Sequence, residues 1–162
     1  EMNRLQGHTD TITSVDWSPD GALIASTGVD DTVRIWDVLA GEQVTEFSGI
    51  VSAVWSPDGT RIASFDTTNT DTIVIREARD SSTLLSLTGA EGVLQNISWN
   101  ADGEMIAAGS TNHLVYIWDA VDGELLHVID AHTSGVSFVD WHPATNLLAI
   151  ASHDGTVTLW SI

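Results

Sequence analysis

The chain has 162 residues and a net charge of −18 at pH 7, with 23 acidic residues against only five basic ones. This shortage of cations disfavours binding to nucleic acids and to anionic membrane surfaces, whose phosphates would be repelled. The absence of cysteine excludes disulfides and cysteine-ligated zinc, and no apolar run approaches the roughly 20 residues of a membrane span. Since no signal peptide is visible either, the sequence predicts a soluble, cytoplasmic protein with one domain.

Short runs of β-branched and aliphatic residues follow one another along the chain, each bounded by Gly, Asp, Asn or Pro. The first four predicted strands are 11–17, 23–26, 32–36 and 43–47. Nothing reads as an amphipathic helix of ten or more residues. Four strands in about 40 residues, with even turn spacing, predict an all-β chain of small antiparallel sheets.

The turns between the first two strands of each group share one pattern. The sequence Ser-Pro-Asp-Gly occurs at 18–21 and 56–59, and Asn-Ala-Asp-Gly occurs at 100–103. Proline presets φ at the first corner and glycine accepts the positive φ that closes the turn. Because Asp has a turn-forming side chain, these aspartates are interpreted as turn residues and not as catalytic acids.

All seven tryptophans lie on one repeating pattern. Trp17, Trp55, Trp99 and Trp141 end predicted strands at intervals of 38, 44 and 42 residues. A second tryptophan follows 19 residues after the first, third and fourth of these, at Trp36, Trp118 and Trp160. A period near 40 residues indicates a repeat protein, and such repeats more often form a binding surface than an active site.

The first repeat carries enough signature residues to resemble a known family. These are Gly7-His8, the segment Val-Asp-Trp-Ser-Pro-Asp-Gly at 15–21, Ile-Ala-Ser at 24–26, Asp30, and Val-Arg-Ile-Trp-Asp at 33–37. Together they look like one blade of a WD-repeat β-propeller.

The resemblance covers the whole chain as a single propeller unit, 1–162. It implies four blades of four antiparallel strands, about half of a typical ring, from the repeats 7–48, 49–88, 89–130 and 131–162. In this family each repeat supplies the outermost strand of one blade and three inner strands of the next. Residues 1–6 would then be an outermost strand that completes the last blade or that of a partner chain.

The resemblance also implies a buried hydrogen-bond network in each blade, formed by a His, a Ser or Thr, an Asp and a Trp. The first repeat has the full set, His8, Ser26, Asp30 and Trp36. The fourth keeps His132, Asp154 and Trp160 but has Ile150 in place of the hydroxyl. A Ser/His/Asp set also invites a catalytic-triad reading, but these residues stand at structural positions of the family, so a scaffolding role is predicted.

The other two repeats depart from this pattern. The third keeps Trp118 but has Ala90, Ala108 and Asn112 at the remaining positions. The second has Arg76 in place of the tryptophan, a shortened entry before Trp55 and an expanded loop at 67–70. Two interpretations of this repeat stay open, neutral decay and a specialised contact sector.

Members of the family usually bind peptides or proteins on the side that carries the loops between blades and between second and third strands. The matching candidates are Thr9, Asp10, Thr11, Asp31, Asn69, Asp71, Glu91, His113, Thr133, Ser134 and His153. Their acidic, hydroxyl-rich character suits a basic peptide. His113 and His153 could also suggest a metal site, but no third histidine or helical spacing supports one, so no metal and no cofactor are predicted.

The predicted function is a non-enzymatic scaffold for protein–protein interaction. One alternative is a self-assembling half that forms an eight-bladed homodimeric ring, and another is an excised part of a larger propeller-containing protein. Both alternatives follow from the apolar faces that four blades would leave exposed at the two ends. An enzyme would need paired carboxylates with shifted pKa values, and the sequence shows no such pair.

Overall fold

The computed structural model describes residues 4–162 and contains 15 strands in four antiparallel sheets, with no helix in that range. Sheet 1 consists of β1 (Ile12–Trp17), β2 (Leu23–Gly28), β3 (Thr32–Asp37) and β4 (Glu42–Ser48). Sheet 2 consists of β5 (Ile50–Trp55), β6 (Arg61–Phe65), β7 (Ile73–Glu77) and β8 (Thr83–Leu87). Sheet 3 consists of β9 (Leu94–Trp99), β10 (Met105–Ser110), β11 (Leu114–Asp119) and β12 (Leu125–Asp130). Sheet 4 consists of β13 (Val136–Trp141), β14 (Leu147–Ser152) and β15 (Val157–Ser161).

Each sheet pairs its strands in chain order, and the sheets are arranged around their first strands. The strand β1 contacts β5, β5 contacts β9, and β9 contacts β13, so the first strands lie side by side. This arrangement confirms the predicted all-β propeller of four blades. Sheet 4 has three strands within the described part of the chain. The outermost strand predicted at 1–6 lies partly outside the described residues, and 4–6 have no regular secondary structure.

The turns predicted from Ser-Pro-Asp-Gly have the expected geometry. Gly21 has φ 71°, and its N–H donates to the Ser18 carbonyl at 2.8 Å. The Ser18 hydroxyl donates to Asp20 Oδ1 at 2.7 Å, and Ala22 N–H donates to the same oxygen at 3.0 Å. These bonds, that of the Ser18 hydroxyl above all, lower the pKa of Asp20. The carboxylate therefore stabilises the turn, as the sequence predicted.

Three apolar cores lie between neighbouring sheets. The core between sheets 1 and 2 includes Val33 and Ile35, both fully buried, and Trp55. The core between sheets 2 and 3 is the largest and contains Trp118, while Trp141 lies in the core between sheets 3 and 4. Burial of apolar side chains between successive sheets is thus the main stabilising contact of the fold.

Sheet 2 begins more abruptly than the others. Only Gly49 separates β4 from β5, which matches the shortened entry that the sequence shows before Trp55. A methyl group at Gly49 would lie 2.6 Å from a methyl carbon of Val33, so a side chain would not fit without a shift.

In the part of the chain that the structure describes, no helix is long and apolar enough to cross a membrane.

Candidate interaction face and its hydrogen-bond networks

The predicted binding residues lie on loops at one side of the sheets. Antiparallel connectivity places the entry loop of each sheet next to the loop between its second and third strands. In sheet 1, Val29 N–H donates to the Thr11 carbonyl at 2.8 Å, and in sheet 4, His153 N–H donates to the Gly135 carbonyl at 3.0 Å. Between sheets 2 and 3, Leu94 N–H donates to a carbonyl of the expanded loop at 3.1 Å.

We call the eleven predicted binding residues the loop face, and most of them are exposed. The exposed ones are Thr9, Asp10, Thr11, Asp31, Asn69, Glu91, Thr133 and His153, and the half-buried ones are Asp71, His113 and Ser134. Two of them, Asp31 and His113, adopt positive φ of 59° and 69°, which tight loops impose. The loop face is therefore accessible over sheets 1 to 4.

Carboxylates give the loop face its charge. Arg61 and Arg79 lie at the opposite side, Arg61 as the first residue of β6 and Arg79 in the turn after β7. Arg61 donates to the carbonyls of Gly103 and Ala120 at 2.8 and 2.9 Å. Arg34 is paired with Glu46 on β3 and β4, at 2.9 Å. Arg34 and Arg61 are thereby engaged in contacts away from the loop face, and Arg79 lies at the opposite side.

In sheet 1 the predicted network forms an unbroken chain of four side chains. His8 Nδ1 lies 3.0 Å from Asp30 Oδ1, and His8 Nε2 lies 2.7 Å from Ser26 Oγ. The Trp36 indole N–H donates to the same Ser26 oxygen at 2.8 Å. Burial raises the pKa of Asp30, but bonds from Thr9 N–H, a neighbouring threonine hydroxyl and His8 outweigh it and hold that pKa well below its usual range.

The order Ser26–His8–Asp30 has the connectivity of a catalytic triad, but its members are already fully bonded. Ser26 is buried, and its hydroxyl oxygen both accepts the indole N–H of Trp36 and lies within hydrogen-bond distance of His8 Nε2. Asp30 also accepts the Thr9 backbone N–H at 2.8 Å, which fixes the entry loop. The arrangement thus anchors the loop face to the sheet, and a nucleophilic role would break the bonds that hold it.

Sheet 4 replaces the missing hydroxyl in a way that the sequence did not indicate. His132 Nδ1 lies 3.0 Å from Asp154 Oδ2, as in sheet 1. At the place of Ser26 stands Ile150, and its cross-strand partner Thr158 supplies the hydroxyl. Thr158 Oγ1 lies 3.1 Å from His132 Nε2 and accepts the Trp160 indole N–H at 3.0 Å. Residues two apart on a strand share a face, so the spacing of Thr158 and Trp160 is the sequence signal that could have identified this hydroxyl as the partner of the tryptophan.

Sheet 3 lacks the histidine and the serine of the network, and a tyrosine forms hydrogen bonds in their place. Tyr116 stacks on Trp118 with ring centroids 5.9 Å apart. Its hydroxyl accepts Asn112 Nδ2–H at 2.9 Å and Glu91 N–H at 3.0 Å, and the Trp118 indole donates to the Thr88 carbonyl at 2.8 Å. Tyr116 occupies the same strand position as Thr158 in sheet 4, two residues before the tryptophan. It therefore anchors the entry loop of sheet 3, which sequence reasoning missed.

Sheet 2 retains only a fragment of the network. Arg76, at the tryptophan position, lies over the Phe47 ring at 5.2 Å and donates to the Thr83 hydroxyl. Desolvation at this place lowers the pKa of Arg76. Ser64, at the place of Ser26, is fully buried and its hydroxyl has no partner among the described protein atoms. Among the described residues, this buried hydroxyl therefore lacks the two partners that Ser26 has in sheet 1.

The two serines form a matched pair for a stability experiment. We expect Ser26→Ala to lower the free energy of unfolding by about 2 kcal/mol, because Trp36 N–H and His8 lose their partner. Ser64→Ala should leave stability unchanged or raise it by up to about 1 kcal/mol, because no bond is lost. Urea unfolding of both variants measures the difference, and equal losses would contradict the network assignment.

No metal centre is found among residues 4–162, where no group of three or more His, Cys, Asp or Glu side chains converges. His113 Nε2 lies 3.9 Å from Asp130 Oδ1, and the two histidines of the loop face lie on different sheets, His113 before β11 and His153 before β15. The histidines of the loop face therefore do not meet at one place among the described residues.

Comparison with known families matches this architecture. The WD40 family, described as "WD domain, G-beta repeat", matches residues 1–37, 81–119 and 123–161, more than half of the chain. The unmatched segment 38–80 contains β5 to β7, where Arg76 replaces the repeat tryptophan. Sequence and structure thus agree that the second repeat departs most.

Similar curated proteins are much longer than this chain. The chain is 32% identical to the Periodic tryptophan protein 2 homolog of Dictyostelium discoideum, over 98% of its own length and 18% of that protein. It is 31% identical to Periodic tryptophan protein 2 of Saccharomyces cerevisiae with the same shares. It is 26% identical to Arabidopsis thaliana "Cell division cycle 20.1, cofactor of APC complex", over 99% of its length and 38% of that protein.

Solved structures share the fold at lower identity. The crystal structure of the computationally designed Ika4 protein superposes with a TM-score of 0.85 at 24% identity, covering 100% of this chain and 98% of that one. U3-55K superposes with a TM-score of 0.88 at 24% identity, covering 98% of this chain and 51% of that one. The four sheets therefore have the spatial arrangement of half of that longer chain.

Proposed function

Because this chain belongs to the WD40-repeat family, we propose that it is a non-enzymatic scaffold whose loop face binds a basic peptide segment of a protein partner. The observation that carries the proposal is the exposed set of carboxylates on loops that are fixed to the sheets. Asp10, Asp31 and Glu91 are exposed on three different loops of that side. A potential of one sign spread over adjacent loops favours a partner of the opposite sign.

The hydrogen-bond networks support binding without a large ordering cost. Asp30 accepts the N–H of Thr9 at 2.8 Å, and Asp154 accepts the N–H of Thr133 at 3.1 Å, so each network carboxylate fixes an entry loop. Glu91 is held through its backbone by Tyr116, and no hydrogen bond of its side-chain carboxylate is found within residues 4–162. Preorganised loops lose less conformational freedom on binding, which raises affinity for a given contact area.

One relative's description agrees with this kind of role. The Arabidopsis protein is described as a cofactor of a complex, which is a role in protein assembly. The catalytic alternative has no comparable support, since the Ser–His–Asp set of sheet 1 has its polar atoms engaged by Trp36 and Thr9. We therefore assign the loop face to binding.

A fluorescein-labelled peptide of alternating arginine and serine is a suitable probe, with its glutamate counterpart as the negative peptide. Fluorescence anisotropy is expected to show binding of the arginine peptide only, weakening as salt rises from 50 to 300 mM. The triple variant Asp10→Lys, Asp31→Asn, Glu91→Lys should weaken binding about tenfold or more. Asn is chosen at position 31 because it tolerates the positive φ found there.

The control changes the same amount of charge on the opposite side. Glu42, Glu104 and Glu124 are exposed carboxylates beside the turns of that side. Glu42→Lys, Glu104→Gln, Glu124→Lys shifts the net charge equally but should leave the dissociation constant within about twofold of the native value, since screened charges far from the site contribute little. Equal weakening by both triple variants would refute the loop face as the binding surface.

A further inference from the structure

Each end of the row of four sheets exposes an apolar sheet face. On sheet 1, Val15 and Trp17 are 67% and 55% exposed. On sheet 4, Val157 and Leu159 are 67% and 66% exposed. In each pair the residues are two apart on a strand and so lie on the same face. Clustered apolar exposure of this kind marks a surface that another molecule covers.

The open face of sheet 4 repeats the face that sheet 1 buries against sheet 2. Val157 and Leu159 stand three and one residues before the tryptophan of β15, as Val33 and Ile35 stand before that of β3. Val33 and Ile35 are fully buried in the core between sheets 1 and 2. Sheet 4 therefore presents the residues of an internal interface without the sheet that would cover them.

The open face of sheet 1 is the complementary half of the same interface. Val15 and Trp17 occupy in β1 the positions of Val139 and Trp141 in β13. Val139 and Trp141 are 1% and 5% exposed, because sheet 3 covers them. The two ends of the chain thus carry the two sides of one repeated contact.

Polar groups at the two ends match in the same way. Between sheets 1 and 2, Asp16 Oδ2 accepts the backbone N–H of Trp55 at 2.9 Å, and the indole N–H of Trp55 donates to the backbone carbonyl of Asp16 at 3.3 Å. Asp140 is the exposed equivalent of Asp16, and Trp17 is the exposed equivalent of Trp55. Placing sheet 4 on sheet 1 would reproduce both hydrogen bonds.

The turns complete the correspondence. A methyl group at Gly59 of sheet 2 would lie 3.4 Å from Pro19 of sheet 1, so that turn glycine packs closely on the preceding proline. The same proline–glycine packing recurs between sheets 2 and 3. Pro143 is exposed in the equivalent turn of sheet 4, and Gly21 of sheet 1 has nothing within 4 Å of its added methyl group. Each end has one member of the pair.

We propose that the open face of sheet 4 in one copy docks on the open face of sheet 1 in a second copy, and that two such seams close a ring of eight sheets. The occupant is a second copy of this chain because the chain itself supplies both halves of the seam. Repeating a head-to-tail contact closes a two-fold ring when the rotation between copies allows it.

Mass in solution tests the proposal on the whole chain. Sedimentation velocity between 1 and 100 µM is expected to give twice the 17.3 kDa chain mass. Leu159→Lys and Trp17→Lys should each weaken the dimer at least 100-fold, since a charge would enter an apolar seam. Val128→Lys is the matched control, because Val128 is 52% exposed on the outermost strand of sheet 3, and it should leave the dimer intact.

A second measurement needs no destabilising variant. In the dimer Trp17 should be as protected as Trp55, which is 6% exposed, so acrylamide quenching is expected to increase on dilution. The conservative variant Trp17→Phe should remove most of that concentration dependence.

A native chain that stays at 17.3 kDa at 100 µM would overturn the proposal and assign both faces to another polypeptide. Masses of three or more copies would overturn the two-fold ring, and a dimer that survives both lysine variants would overturn the seam.

Discussion

Replacement of Trp118 by alanine is expected to lower the free energy of unfolding by about 3–5 kcal/mol, because a fully buried indole leaves a cavity that the sheets cannot close. Trp118 lies in the core between sheets 2 and 3, stacks on Tyr116 and donates its N–H to the Thr88 carbonyl at 2.8 Å. Equilibrium unfolding in urea, followed by far-UV circular dichroism, measures the loss.

Two further variants separate packing from the hydrogen bond. Trp118→Phe keeps most of the apolar volume but removes the N–H that bonds Thr88, so we expect a loss of about 1–2 kcal/mol. Leu39→Ala, at a side chain that is 93% exposed, should change stability by less than about 0.5 kcal/mol. A loss below about 1 kcal/mol for Trp118→Ala would mean that this core does not limit the stability of the fold.

The sequence was sufficient to predict the architecture because each sheet repeats local signals. The same repeat unit is indicated by turn glycines such as Gly21, by the alternation of apolar residues in β3 and by the tryptophan interval. Local and global preferences agree, so counting repeats predicted the number of sheets. The interval also identified Arg76 as the departure, although its contact with Phe47 depends on the neighbouring sheet.

The network substitutions could not be predicted position by position. Ile150 stands where the family signature has a hydroxyl-bearing residue. The hydroxyl is supplied by Thr158 on the paired strand. Tyr116 likewise fills the space of an absent histidine from a strand position that the signature ignores. A buried polar group needs a partner in space, and that partner can come from another strand.

The difference in melting temperature between the native chain and Asp154→Asn is expected to shrink as the pH falls from about 4 to 2. The Thr156 hydroxyl, which donates to Asp154 at 2.6 Å, lowers the pKa of Asp154 most, and bonds from Thr133 N–H and His132 add to it. A carboxylate whose pKa is lowered by folding stabilises the fold above its unfolded pKa of about 3.9. That stabilisation is lost as the pH falls towards the folded pKa.

Thermal unfolding at a series of pH values, at constant ionic strength, measures this difference. The control is Asp122→Asn. Asp122 is an exposed turn residue of the opposite side, and among the described contacts its carboxylate bonds only the Glu124 N–H, at 2.9 Å. The Asp122→Asn variant should therefore follow the native curve closely. Since protonation also reduces repulsion within this acidic chain, the native curve alone would mix two opposing effects, and only the difference between variants isolates Asp154. A gap between the native chain and Asp154→Asn that widens in acid would reverse the sign expected from a lowered pKa and remove Asp154 from the acid-sensitive contacts of the fold.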